Sequence, residues 1–515
     1  MGVGERPNNC FVKIVAGIGR ADLHKGFSEG LRLTGRRYPH VMTLLADLRQ
    51  ALGKENVLEE PLELHIYSKD ASLIRGEATF VVFPQSAEQV ATVVRIAASH
   101  GVPIVARGAG TGLTAGASPT EGGIVLTTTA LNSVEIDPDN RTAWVGAGVI
   151  NLDLSVAAAP FGLHFAPDPS SQSACTIGGN VANNSGGAHT LSEGSTTSHV
   201  LGLEVVLVDG ETVVLGGLAP DSPGLDLKGL IVGSEGTLGI VTRALVRLLP
   251  IEPEVRTLLL DFPTMEGAVA TVSEIIAAGM VPAALELMDQ RMTTAVENWL
   301  HAGLPTDAAA VLLAEVIGEL EGVDSQAGQI GEIGRANGAR DVQVATTEEH
   351  RALLWKGRKS AFGAMAQLAP DYYLHDAVVP RTKLVETMKT IYEIADRYDL
   401  TLLNVFHAGD GNVHPLIAFD ASEPGINERV HKAGDEIVAA CLKVGGALSG
   451  EHGIGLEKRD LMRVAFTEID LDAQARLKEV FDPTGLFNPR KVLPDGSRCF
   501  DFGGVRREVP EGAWV

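Results

Sequence analysis

The sequence predicts an α+β protein in two parts, and three observations carry the prediction. A β–α–β run leads into the loop Arg107 to Ala117, with four glycines in eleven residues. Two further glycine-dense stretches follow among short strands before Pro250. Beyond Pro250 longer apolar runs alternate with helical ones, so a second α+β region is expected to begin near 250–255.

Residues 1–38 carry no strong periodicity and read as an N-terminal arm. Val41 to Leu52 reads as a helix ended near Gly53. Thr79 to Phe83 is a strand closed by Pro84. Ser86 then opens a helix, with Gln89 placed for a capping box and Val90, Val93, Val94 and Ala97 as its apolar stripe up to Gly101. Val102 to Ala106 is a short buried strand, and the glycine loop stands at its end. Strands are expected at Gly123–Thr127, Ser133–Ile136 and Thr142–Val145, then a helix from about Asn151. A hairpin is expected at Leu203–Val208 and Thr212–Leu215 around Asp209-Gly210. The second glycine-dense stretch, Thr176–Gly179 with Asn183–Gly187, has poor helix propensity and persists where something large lies flat against it. The third is Ile231–Val241. In the second region strands are expected at Arg256–Phe262, Ala310–Ile317, Ala377–Pro380 and Leu402–Phe406. Helices are expected at Met265–Ala278, Thr347–Gln367, Lys383–Tyr398 and Glu428–Val444.

The 515 residues carry 45% hydrophobic and 21% charged side chains, ordinary for a globular protein. Net charge is −23, from 42 basic and 65 acidic residues, which argues against nucleic acid or an anionic membrane surface as a partner. No apolar run has the length of a membrane span, and Met1 to Arg20 does not read as a secretory or transit leader. Cys10, Cys175, Cys441 and Cys499 are scattered, with no iron–sulfur or zinc-ribbon spacing, so a reducing cytoplasm is the expected location.

Glycines at a strand end permit positive φ and close approach of backbone N–H groups, which form a concavity for an anion such as a pyrophosphate. Gly108, Gly110 and Gly112 match neither the dinucleotide fingerprint nor a P-loop, and a plain turn between strands is the alternative. His407-Ala-Gly-Asp-Gly-Asn-Val-His414 reads as strand–turn–strand with a histidine at each shoulder. Glu451 and His452 stand side by side in a later glycine-rich loop. Two histidines and a carboxylate suit a divalent metal with open positions; a hydrogen-bonded hairpin without metal is the alternative. His452 has the pKa range for removing a hydroxyl proton, against the alternatives of a fourth ligand or a loop histidine bonded to backbone. Arg358 could clamp a carboxylate, but Lys356 and Lys359 beside it make a solvated helix face the reading that spacing favours.

These stretches, in this order, resemble the FAD-linked oxidases of the vanillyl-alcohol oxidase and p-cresol methylhydroxylase (PCMH) fold. The branch that includes glycolate oxidase FAD subunits, D-lactate dehydrogenases and D-2-hydroxyglutarate dehydrogenases is the most similar. The matching motifs also include Pro167-Asp-Pro169, Gly233 to Gly239 and Phe481 to Pro489, so the resemblance runs from about residue 40 to 497. It implies a PCMH-type FAD-binding domain of two subdomains over 39–252 and a substrate or cap domain with the metal site over 253–455. A C-terminal segment, 456–515, would return to the FAD domain. Arg107, Gly108, Ala109, Gly110, Thr111, Gly112 and Leu113 would hold the pyrophosphate. Pro167, Thr176, Gly178, Gly179, Asn183, Ser185 and Gly186 would line the flavin and ribityl chain. Gly236 and Ile240 would contact the adenine side, with Asn488 of the tail motif completing the cofactor set. His407, His414 and Glu451 would bind zinc or manganese, His452 would be the base and Arg358 the carboxylate clamp. Thr111 and Leu113 stand where covalent relatives carry a flavin-linking His or Cys, so non-covalent FAD is expected.

The implied reaction oxidises a small D-2-hydroxy acid to the 2-oxo acid. Phe362, one turn after Arg358, and Leu416, just beyond His414, favour glycolate or D-lactate over a dicarboxylate such as D-2-hydroxyglutarate. The electron acceptor is open: oxygen, a quinone, a dye-like carrier or a separate iron–sulfur subunit. A homodimer is compatible, as is a membrane contact through a partner. Relatives acting on other alcohols, and a flavin-binding structural subunit, are the competing readings; they usually lack the full histidine–glutamate set.

Overall fold

The structure, a computed structural model, describes residues 39–119, 122–219 and 224–494; the expected arm 1–38, Cys10 and Cys499 lie outside them. Contacts divide the chain into Met1–Ala46, of which only the start of a helix Pro39–Leu52 is described, and Asp47–Val515.

The second unit is built on three main sheets. The first is four-stranded, in the order Val57–Leu58, Ala78–Val82, Gly123–Thr127, Ile104–Arg107, with its last two pairings parallel. The parallel pairing requires a crossover, and helix Ala87–His100 supplies it. Ser86 caps that helix by accepting from Gln89 N at 3.3 Å, but the Gln89 side chain reaches Gln85 N rather than Ser86 N, so the expected capping box is half-formed. Val90, Val93, Val94 and Ala97 are buried as the stripe requires. The second sheet is five-stranded and antiparallel, in the order Val134–Asp137, Thr142–Gly146, Ile240–Arg247, Val200–Val206, Thr212–Gly216. Its last two strands are the expected hairpin. Helix Ile177–Asn183 packs on it, with Ile177 and Val181 in the core.

The third sheet is eight-stranded. Its path runs Asp341–Val344, Glu254–Phe262, Ala310–Gly318, Ala284–Asp289, Thr401–His407, Asn412–Phe419, Asp371–Leu374, and Ala377–Val378 pairs with Asn412–Phe419. Every pairing is antiparallel. One face carries Leu258, Leu260, Phe262, Leu285, Leu287, Leu402, Phe406 and Ile417, under the helices Met265–Ala277, Leu320–Ala336, Leu384–Arg397 and Ile426–Lys443. The other face carries Met288, Leu313, Leu403, Val405 and Leu416, packed with Leu354, Trp355 and Met365.

The helix expected over Thr347–Gln367 is broken into Glu348–Lys359, Ala361–Ala364 and a short turn Met365–Gln367. The break at Ser360 lets Gly363 pass Trp299 so closely that a Cβ there would lie 2.7 Å from the indole ring. After helix Glu468–Phe481 the chain reaches the edge of the first sheet. There Ile104 N donates to Leu486 O at 2.8 Å and Asn488 N donates to Ile104 O at 2.7 Å.

Candidate active site

Successive side chains of a strand point to opposite faces. By that alternation Glu286, Glu315, His407 and His414 all fall on the Leu403–Leu416 face of the large sheet. Register does the rest. His407 lies opposite Glu286 on one neighbour and Asn412 on the other, while His414 lies opposite Val405. The two imidazoles meet edge to face with centroids 5.1 Å apart, and the expected strand–turn–strand with shoulder histidines is present.

Glu451 joins them from the loop after Leu448. Its Oε1 lies 3.3 Å from His407 Nε2, 3.5 Å from His414 Nε2 and 3.9 Å from His452 Nε2. Both ring nitrogens of His414 and Glu451 Oε2 are buried without a hydrogen-bond partner. A set of convergent, buried, unpartnered nitrogen and oxygen atoms fits a divalent cation. Burial and then the neighbouring His452 and His407 hold His414 well below its usual pKa, in the neutral form a ligand needs. Burial opposes the charge on Glu451, but the bond to His407 and the three imidazoles more than offset it and bring it down to about 2. Burial likewise opposes the charge on His407, and Glu286 and Glu451 on either side raise its pKa well above the usual value, so a cation on its Nε2 would take the place of a proton held there. A second group, Asp376, His414 and His452, also has its ligand atoms within 4.8 Å of one another. Asp376 is already saturated there, because its carboxylate accepts from Ser449 Oγ at 2.5 Å, Gly450 N at 3.0 Å, His452 N at 3.1 Å and Lys458 Nζ at 3.2 Å. The site that fits a metal is therefore His407, His414 and Glu451. His452 stands beside it, its own pKa lowered chiefly by burial, and so neutral and able to accept a proton.

Arg358 departs from the solvated face that its lysine neighbours favoured. It is 3% exposed, and its Nη2 lies 2.5 Å from Glu286 Oε2. Glu286 also takes His407 Nδ1 at 2.7 Å, which fixes the ring with Nε2 toward Glu451. Sequence reasoning missed Glu286, Asp376 and Lys458. A carboxylate at the centre of the apolar strand Ala284–Asp289, and the pair His375-Asp376 before Ala377-Val378-Val379, were the available signals.

The three glycine-rich stretches meet on the far side of the Glu451–His452 loop. A Cβ on Gly108 would lie 2.2 Å from Thr176 Oγ1, so the first and second stretches touch. Thr176 caps helix Ile177–Asn183 through Gly179 N. Gly178 approaches the second sheet so closely that a Cβ would lie 2.8 Å from Ala147. Gly236 has φ +68°, and Ile240 begins the strand that pairs with Val206. Pro167 O accepts from Asn151, and Ser185 O from Thr196. Asn488 Nδ2 donates to Gly116 O at 3.0 Å and Glu235 O at 2.7 Å, tying the first stretch to the third. Arg107 is buried over the Tyr67 ring, with Nη1 on Lys69 O, and Gly110 at φ +74° leaves room for its guanidinium. Gly112 O accepts from Ala71 N, and Leu113 packs against the Leu403–Leu416 cluster; Ala109 is exposed and Thr111 half-buried. A Cβ on Gly186 would lie 3.1 Å from Glu451 Oε2, and Asn183 Nδ2 donates to His452 O at 3.1 Å. The expected cofactor stretches and the histidine–glutamate group thus adjoin in one place.

Comparison with known proteins gives the family. Residues 78–216 match the family described as FAD binding domain, and residues 251–492 the family described as FAD linked oxidases, C-terminal domain. The glycolate oxidase subunit GlcD of Escherichia coli strain K12 is 44% identical over 465 residues, covering 90% of this chain and 93% of that protein. The chain belongs to the FAD-linked oxidases. The D-lactate dehydrogenase of Archaeoglobus fulgidus is 36% identical over 426 residues, covering 81% of this chain and 92% of the relative. Among solved structures, 4-ethylphenol oxidase from Gulosibacter chungangensis superposes with TM-score 0.76 at 21% identity, covering 90% and 99% of the two chains. p-Cresol methylhydroxylase does so with TM-score 0.75 at 18% identity, covering 88% and 97%. The fold of this FAD-linked oxidase is accordingly a PCMH-type FAD-binding domain joined to the C-terminal domain of the family, and the chain is an oxidoreductase. Among the described residues no helix is long and apolar enough to cross a membrane.

Proposed function

We propose that this FAD-linked oxidase oxidises a small D-2-hydroxy acid, glycolate or D-lactate, to the 2-oxo acid, at a site where Glu451 and His452 bring a metal-ligating group and a base together. The observation that carries the reading is the convergence of His407, His414 and Glu451, with unpartnered buried atoms, beside a neutral His452 and against the glycine-rich stretches. The similarity to GlcD and to a D-lactate dehydrogenase supports the substrate class.

FAD, held non-covalently by the three glycine-rich stretches and Asn488, would take the Cα hydrogen as hydride, and a zinc or manganese ion on His407, His414 and Glu451 would polarise the substrate oxygens. The residues of the chain do the remainder. His452 takes the hydroxyl proton at its imidazole. Its loop is fixed from one side by Asp376 and from the other by Asn183 and Thr114, which both donate to His452 O. Glu286 orients His407 and balances Arg358, whose buried Nε has no partner and is free to meet a substrate carboxylate.

Substrate size is read from the apolar side chains beside His414: Phe362, half-buried, and Leu416, fully buried in the core of that face. The Phe362 ring meets His414 edge to face at 6.4 Å, and Leu416 lies two residues along the same strand face. Both favour a short, uncharged side chain, because a second carboxylate there would lose water without a partner. Anaerobic addition of glycolate, D-lactate and D-2-hydroxyglutarate, each alone, to the purified yellow protein tests this. Bleaching of the flavin band by glycolate or D-lactate is the expected result. Bleaching by D-2-hydroxyglutarate alone would make the enzyme a dehydrogenase of that dicarboxylate and overturn the substrate assignment.

A further inference from the structure

Among the buried carboxylates that the mechanism leaves unused, Glu235 is bonded to the loop that carries His452. Glu235 lies in the third glycine-rich stretch, 6% exposed, with φ +52°. Left-handed backbone is uncommon and strained for a residue with a side chain, so it persists where the surroundings hold it. The surroundings here are specific. Glu235 Oε1 accepts from Ile454 N at 2.6 Å and Oε2 from Gly455 N at 2.8 Å. These are the second and third amides after His452. Gly453 has φ +88°, and a Cβ on it would lie 2.7 Å from Glu235 Oε1, so a glycine there is what lets the carboxylate in. The backbone of Glu235 is tied to each of the other two stretches: its N donates to Ala182 O at 2.8 Å, and its O accepts from Asn488 Nδ2, which also holds Gly116 O.

We propose that Glu235 is a positioning residue, through which the cofactor-binding stretches fix the backbone that carries His452. The loop Ser449–Gly455 is gripped by two carboxylates. Asp376 takes the amides on its N-terminal side from the metal side, and Glu235 takes those on its C-terminal side from the FAD side. Charge-assisted bonds to backbone amides are short and strong, and here they are buried, so removing Glu235 leaves two amides without acceptors and frees one end of the loop. His452 then loses the fixed approach that proton transfer requires. Glu235 touches neither the metal-ligating group nor His452's ring; it acts through the chain.

The inference rests on His452 being the base, and its test has an arm that does not. In the holoprotein, hydrogen exchange at the Ile454 and Gly455 amides is expected to speed up at least about tenfold in Glu235→Ala, and less in Glu235→Gln, which keeps one acceptor oxygen. That arm needs no substrate, so it stands even if no 2-hydroxy acid is oxidised. In turnover, Glu235→Ala is expected to keep its FAD and lower kcat by about tenfold or more with KM within about threefold, while Glu235→Gln recovers part of the loss. His452→Ala alone is expected to lower kcat about a hundredfold or more. Adding Glu235→Ala to it is expected to cost nothing further, since residues acting as one unit are not additive. Unchanged exchange at the two amides overturns the proposal. So does a full additional loss in the double variant, or loss of FAD in step with kcat in both Glu235 variants.

Discussion

His189 shows what a single residue does across the boundary between the matched families. Its Nδ1 lies 3.0 Å from Asp168 Oδ2 and its Nε2 3.4 Å from Glu315 Oε1. Lys359 reaches the same Asp168, while Arg351 and Trp355 hold Glu315. Burial disfavours the imidazolium, but the two carboxylates more than offset it and push the His189 pKa up to about 10. The ordinary unfolded value is about 6.5, so the stabilisation is complete below that pH and is lost as pH rises toward about 10. Wild-type stability in denaturant is therefore expected to fall more steeply between pH 7 and pH 10 than that of His189→Gln. Parallel curves for the two proteins would remove the assignment. None of this was legible in the sequence, because Asp168, His189 and Glu315 are far apart in the chain and meet only in the fold. Spacing alone points Arg358 to a solvated face for a related reason: its helix neighbours are lysines, and the buried partner, Glu286, sits on a strand that spacing does not reveal.

At the scale of elements, the histidine hairpin was legible and the glutamate strand beside it was not. The hairpin has apolar runs on either side of Asp410-Gly411, which mark two strands and a turn. In Ala284–Asp289 all six residues are buried, and the two acids stand on opposite faces, Glu286 with Met288 and Asp289 with Leu285 and Leu287, so no apolar/polar alternation marks the strand. Tertiary pairing with His407 and Arg358 holds Glu286 there. The hairpin turn depends on Gly411, at φ +80°, where a Cβ would lie 2.1 Å from Val379 O. Val379 N also donates to Gly411 O at 2.9 Å, so the neighbour is held in place. Gly411→Ala is expected to cost at least about 1–2 kcal/mol in stability from the left-handed backbone alone. The shifted turn should also lower metal retention on gel filtration. An unfolding curve and metal content equal to wild type would show that the turn does not set the histidine positions.

Across the whole molecule, the glycine-rich stretches and the Glu451–His452 loop were readable because each demands special backbone, and glycine is the residue that signals it. What spacing could not supply was the joining. Asp376 from the large sheet, and Glu235, Asn183 and Thr114 from the cofactor side, converge on one seven-residue loop, Ser449–Gly455. Under the proposed function, that convergence would bring proton removal, metal and flavin to a single place. The most direct test is anaerobic flavin reduction by glycolate or D-lactate before and after removal of divalent metal with a chelator. The expected result is that chelated protein keeps its FAD but is no longer bleached, and that zinc or manganese restores bleaching. Undiminished bleaching of metal-free protein would contradict the role of His407, His414 and Glu451.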